Sequence, residues 1–158
     1  MREYPFNKIL NIIFLDIDGV LVTNSDLKNI NPATYSQWFN KTLVDRLGVL
    51  LEETGAKLVI SSSWRRKSLS ETKKLLRESG LGKWASRIIG QTAEHREIRG
   101  LEIQDWLRLN KHQEPIKYLI LDDDCDMLYQ QKDNFIRTSM ENGLTREILN
   151  QSLDFFSP

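Results

Sequence analysis

Three short apolar runs divide the chain, and each stops abruptly at polar residues. Asn11-Ile12-Ile13-Phe14-Leu15 runs into Asp16, Lys57-Leu58-Val59-Ile60 into Ser61-Ser62-Ser63, and Tyr118-Leu119-Ile120-Leu121 into Asp122-Asp123-Asp124. Nearly continuous apolar runs of this length suit strands buried on both faces. Arg87-Ile88-Ile89-Gly90 and Asn134-Phe135-Ile136-Arg137-Thr138 read as two shorter strands. Between the strands the period changes. Leu43, Leu47, Leu50 and Leu51 recur at helical spacing before Gly55. Ser68-Leu69-Ser70-Glu71 reads as a capping box opening a helix that stops near Gly80. Ile103, Trp106, Leu107 and Leu109 mark a helix after Gly100, and Thr145 caps a last one through Leu149 and Leu153. The polar stretch from Thr23 to Asn40, with Pro32, Tyr35, Trp38 and Phe39, reads as a loop holding at most one short helix.

Strands alternating with helices predict an α/β fold, a Rossmann-like three-layer sandwich with a central parallel sheet, over one domain spanning residues 1–158. In such sheets ligands bind outside the carboxyl ends of the strands. The three strongest strands all end there in residues able to do chemistry.

Composition narrows the class. The 158 residues are 40% hydrophobic and 28% charged, an ordinary globular balance. Lys+Arg and Asp+Glu are both 22, so net charge suggests no non-specific attraction to nucleic acid or anionic membrane. Cys125 is the sole cysteine, which excludes an intramolecular disulfide and fits a reducing, cytoplasmic setting. Met1 to Asn11 carries Arg2, Glu3 and Lys8 without a long apolar core, unlike a signal peptide, and no apolar run is long enough to span a bilayer.

Asp16 and Asp18 leave the first strand two residues apart, and Asp122, Asp123, Asp124 and Asp126 leave the third. If these strands are neighbours, several carboxylates converge and repel one another, the more so when buried. A hard divalent cation relieves that repulsion. Magnesium suits such a site, since it binds through one or two carboxylates with water and substrate phosphate completing its octahedron.

The residues so gathered resemble the haloacid dehalogenase (HAD) superfamily of aspartate-nucleophile phosphatases. Asp16-Ile17-Asp18-Gly19-Val20-Leu21 matches its first motif in full, Ser61 its second, Arg99 its third (as Arg rather than the commoner Lys), and Asp122-Asp123 its fourth. The finer text is similar to small phosphatase-type domains of bacterial and viral RNA-repair proteins. It comprises Ile60-Ser61-Ser62-Ser63-Trp64-Arg65, Arg99-Gly100-x-Glu102-Ile103-x-x-Trp106-Leu107, Ile120 to Asp124 and Gly143-Leu144-Thr145.

The resemblance implies a role for each residue. Asp16 is the nucleophile and a metal ligand. Asp18 is the general acid and base, and its backbone carbonyl binds the metal. Ser61, with Ser62 beside it, and Arg99 hold the phosphate; Asp122 and Asp123 hold Mg2+. Arg96 rivals Arg99, and Asp126 rivals Asp123 as the second acid, because one variant of the family spaces the acids four apart. Asp124 reads as a turn former or as a residue that supports the metal ligands without touching the metal. Trp64-Arg65-Arg66-Lys67 reads two ways: an aromatic among cations that grips a nucleotide, or a core Trp beside a solvated basic face. His95 and His112 have no metal-ligand spacing and read as surface or loop residues.

The superfamily often selects substrates with an inserted cap domain. Here Leu21 to Thr42 and Gly82 to Arg99 leave no room for a full one. A site without a lid admits a large substrate, so the expected activity is removal of phosphate from a nucleotide or polynucleotide end. Two alternatives stay open at this point: a metal-dependent nuclease with acidic strand ends, and a non-catalytic module that keeps the fold.

Overall fold

The computed structural model describes residues 8–30, 38–94, 98–111 and 114–158. Pro32, Tyr35, His95, Arg96 and His112 lie outside the described residues. Five strands, β1 (Leu10–Leu15), β2 (Lys57–Ile60), β3 (Ile88–Gln91), β4 (Ile116–Asp122) and β5 (Phe135–Arg137), form one sheet in the order β3-β2-β1-β4-β5. Every strand pairing is parallel. β1 therefore sits in the middle, with β2 on one side and β4 on the other. The chain winds outward through β2 and β3, then crosses back over β1 to β4. That reversal is the topological switch point at which open parallel sheets bind ligands.

The helices are α1 (Asn24–Lys28), α2 (Lys41–Thr54), α3 (Leu69–Leu76), α4 (Arg99–Leu109) and α5 (Arg146–Phe156). Alternate residues of β1 feed two cores, as the period of 2 in a strand requires. Ile13 and Leu15 pack with Leu47, Leu50 and Leu51 of α2 and with Leu149 and Phe156 of α5. Ile12 and Phe14 pack on the opposite face with Ile103 and Trp106 of α4. The Trp106 and Tyr118 rings meet Phe14 edge-on, with centroids 5.5 and 5.7 Å away. The sheet is thus covered on both faces.

Local chemistry sets the helix ends. Asn40 accepts from Thr42 and Leu43 N–H at the start of α2, and Gly55 closes that helix at φ 64°. The Ser68–Glu71 capping box forms as expected, with bonds of 3.2 and 3.3 Å. The helix after it differs from expectation. Regular α-helix ends at Leu76, and a wider π-helical turn (Arg77–Leu81) carries the chain to Gly80 at φ 127°, where Phe39 packs against it. Residues 16–40 separate β1 from α2 and residues 92–98 separate β3 from α4, too few at either place for a cap domain. Among the described residues no helix is long and apolar enough to cross a membrane.

Candidate active site

Sheet hydrogen bonding runs one step past the strands and levels the acidic residues. Asp16 N–H donates to Leu121 O (3.0 Å), and Ser61 N–H donates to Leu15 O (2.9 Å). Asp16, Ser61 and Asp122 consequently stand side by side at the carboxyl end of the sheet. Asp122 is the last residue of β4 itself rather than the first of the following loop. Past Asp16 the chain turns at once, with Ile17 O accepting from the N–H groups of Val20, Leu21 and Val22 at 3.1, 2.9 and 3.3 Å. Gly19 makes this turn possible in two ways. Its φ is 72°, and a Cβ there would lie 2.5 Å from the Asp123 Cβ. The turn of the first acidic motif therefore lies directly against the last.

Ligand oxygens of Asp16, Asp122 and Asp123 all lie within 4.8 Å of one another. Asp16 and Asp122 are buried and Asp123 is half-buried. Asp126 is not in this cluster. Its Oδ2 accepts from Arg99 N–H (2.8 Å) and its backbone carbonyl from Gly100 N–H (3.2 Å), so it caps α4. Asp124 turns the loop, donating its N–H to Asp122 Oδ1 (3.0 Å) and accepting from Cys125 N–H through Oδ1 (2.7 Å).

The cap places Arg99 on the first residue of α4, with its Nε 3.8 Å from Asp122 Oδ2. Several buried polar atoms here have no hydrogen-bond partner among the described residues: Ser61 Oγ, Arg99 Nη1 and Asp122 Oδ2. Buried polar atoms are normally satisfied, so such a group points to a ligand that completes it. The two serines differ. Ser62 Oγ accepts from Trp64 N–H (3.3 Å), and its hydroxyl bonds the Asp16 carboxylate, whereas Ser61 has no such engagement.

Electrostatics show the strain in this arrangement. Burial pushes the Asp16 carboxyl from 3.8 up to about 6, although Ser62, Arg99 and the Ile17 N–H oppose the rise. Burial and the neighbouring Asp16 push Asp122 from 3.8 up to about 8. Among the described residues, the half-buried Arg99 guanidinium stands near two carboxylates, those of Asp16 and Asp122, that resist ionising. An all-oxygen donor set with an orphaned Asp122 Oδ2 fits a hard divalent cation, which would supply the missing positive charge.

Three contacts were not anticipated from the residues alone. Asp18 Oδ2 accepts from the indole Nε1–H of Trp64 (3.2 Å). Arg65 belongs to neither a stacking grip nor a solvated face. It is buried, and its Nη1 donates to Glu102 Oε2 (2.9 Å), to Thr92 O (3.3 Å) and to Thr92 Oγ1. Glu102 lies on α4, three residues after Arg99, so this pair ties the loop after β2 to the helix that carries Arg99. The third is the Asp126 cap. The sequence signal for Arg65 and Glu102 is that they lie in the same motifs as Ser61 and Arg99.

No curated protein matches the chain. The family described as the HAD domain in Swiss Army Knife RNA repair proteins matches residues 12–149, from within β1 to within α5. HAD domains generally use a divalent metal and carry hydrolase or phosphatase chemistry, and the acidic cluster suits both. With that match covering both ends of the sheet and every residue of the acidic cluster, the chain belongs to the family of HAD domains of RNA-repair proteins.

Proposed function

We propose that the protein is a magnesium-dependent phosphatase that removes a phosphomonoester from a nucleotide or a polynucleotide end. The observation that supports this reading best is the meeting of Asp16, Asp122 and Asp123 beside Ser61 Oγ and Arg99 Nη1, which have no hydrogen-bond partner among the described residues. Three carboxylates suit a cation, and a hydroxyl with a guanidinium suits phosphoryl oxygens.

In this reading an Asp16 oxygen attacks phosphorus, and the bond from phosphorus to the ester oxygen breaks as the Asp16–phosphorus bond forms. Asp18 gives its proton to the departing ester oxygen. A water then attacks the aspartyl-phosphate while Asp18 takes its proton; inorganic phosphate departs and the Asp16 carboxylate is restored. Splitting one difficult displacement into two is what a carboxylate nucleophile offers. Arg99 and Ser61 bind the phosphoryl oxygens as charge shifts among them. Ser62 holds the Asp16 carboxylate in place. Asp16, Asp122, Asp123 and the Asp18 carbonyl would hold Mg2+, which supplies charge neutralisation between carboxylates and phosphate.

The substrate class rests on the family's RNA-repair setting and on the absence of room for a cap. Turnover of 3′- and 5′-phosphorylated oligonucleotides in Mg2+, beside a generic aryl phosphate, tests it. Hydrolysis of the aryl phosphate with none of the oligonucleotides would remove the polynucleotide assignment and leave the phosphatase.

A further inference from the structure

A cavity of about 480 Å³ opens beside the site, lined by Trp38, Trp64, Leu75, Arg66, Glu78 and Ser63, among others. Two half-buried indoles and a half-buried Leu give it an apolar floor. The Trp38 and Trp64 rings meet edge-on with centroids 5.9 Å apart, and Phe39 supports Trp64 from a centroid distance of 5.3 Å. Trp64 is therefore braced on two sides. Arg66 stands at the margin with its guanidinium held by Trp64 O (3.1 Å) and Arg65 O (3.2 Å), so a cation has a fixed place there. Glu78 and Ser63 are exposed and add polar atoms at the edge.

The position of the cavity matters more than its lining. Trp64 belongs to it and also donates its indole N–H to Asp18 Oδ2. In the reaction above, Asp18 protonates the ester oxygen that leaves. The body of the leaving group must then extend from phosphorus on the Asp18 side, which is the side where Trp64 stands. A leaving group with a flat aromatic portion meets the two indoles, whose planes stand at 83° to one another, and one with a neighbouring phosphate meets Arg66.

We propose that this cavity receives the nucleobase of the terminal nucleotide, stacked on one indole of the Trp38–Trp64 pair with the other at its edge, and with Arg66 facing the adjoining phosphodiester. The inference rests on the phosphatase reading and adds to it the part of the substrate that is recognised. Aromatic stacking accepts every base, so recognition would be of a base as such rather than of one sequence. A volume of this size is in the usual range for small-molecule sites and accommodates one base.

The test compares two oligoribonucleotides with the same terminal phosphate, one ending in adenosine and one in an abasic ribose. The expected result is a kcat/KM higher for the base-bearing end by about tenfold or more. Trp38→Ala, which removes stacking surface, and Leu75→Trp, which fills the space, should each bring that ratio toward one. Equal turnover of the two ends by the unaltered protein overturns the base site and leaves the phosphatase standing. A phosphotyrosine peptide turned over faster than the base-bearing end overturns it too. If neither oligonucleotide is hydrolysed, the phosphatase reading on nucleic acid falls, and the cavity is judged by binding. Saturable quenching of tryptophan emission by adenosine, lost in Leu75→Trp, then supports the base site, and absence of quenching ends it.

Discussion

Replacing Asp122 with Asn should stabilise the metal-free protein at pH 8 while removing its activity. The Asp122 carboxyl is 1% exposed and stands beside Asp16, and burial with that repulsion lifts it from 3.8 to about 8. A raised carboxyl binds its proton more tightly when folded than when unfolded. Below about pH 4 both forms are protonated and the residue costs nothing. As pH climbs from about 4 to about 8, the unfolded carboxyl ionises first, so folding is progressively opposed. Each unit of difference corresponds to about 1.4 kcal/mol, which puts the full effect on the order of 4–6 kcal/mol. Asn keeps an acceptor for the Asp124 N–H bond but turns an amide toward Arg99, so about half of that should be recovered. For a chain of this length about 1 kcal/mol moves the melting temperature by about 3 °C. Thermal melts in EDTA at pH 8 should place Asp122→Asn several degrees above the unaltered protein, with the gap closing near pH 4. Adding Mg2+ should raise the unaltered protein by mass action and the variant far less. A variant that melts lower at pH 8 without metal would refute the electrostatic account of the site.

Asp16→Asn should abolish turnover and keep the fold, and the unaltered protein should trap beryllofluoride on Asp16; phosphodiester cleavage without any adduct would instead favour a two-cation nuclease. Asp18→Asn should slow both the formation and the hydrolysis of the phospho-enzyme in single-turnover kinetics, and unchanged rates near neutral pH would remove Asp18 as acid and base. Arg65→Met leaves Glu102 buried without its Arg65 partner and should cost about 3–5 kcal/mol in urea unfolding. A loss below about 1 kcal/mol would mean that the pair is not a structural tie.

Much of this was legible because the chemistry sits where apolar runs stop. Ile12 to Leu15, Leu58 to Ile60 and Leu119 to Leu121 are buried strands, and the residues just beyond each are the ones that meet. The parallel register does the rest, since neighbouring strands of similar phase must end level with one another. What could not be read depends on contacts between segments distant in sequence. Ile98 offers no side-chain cap before α4, so local residues gave no reason for the helix to begin at Arg99; the cap comes from Asp126, 27 positions later. From sequence Arg65 reads either as part of a nucleotide grip or as one of three solvated cations, and only its partner on α4, 37 positions away, explains its burial. Two residues with alternative assignments separated on geometry, Asp123 joining the acidic cluster and Asp126 the helix end.

The segment from Asp122, at the end of β4, to Asp126 has a consequence for how this site can vary. One end of it contributes two carboxylates to the cluster, and the other end clamps the backbone of Arg99 and Gly100. This short segment therefore couples the spacing of the negative and positive halves of the site, in the manner of a gauge block. Adding or deleting one residue between Asp123 and Asp126 would shift the carboxylates relative to the guanidinium without touching any of them. Variation in substrate choice is thus expected to enter through the segments after β1 and β2, where the indole-lined cavity lies, and not through this one.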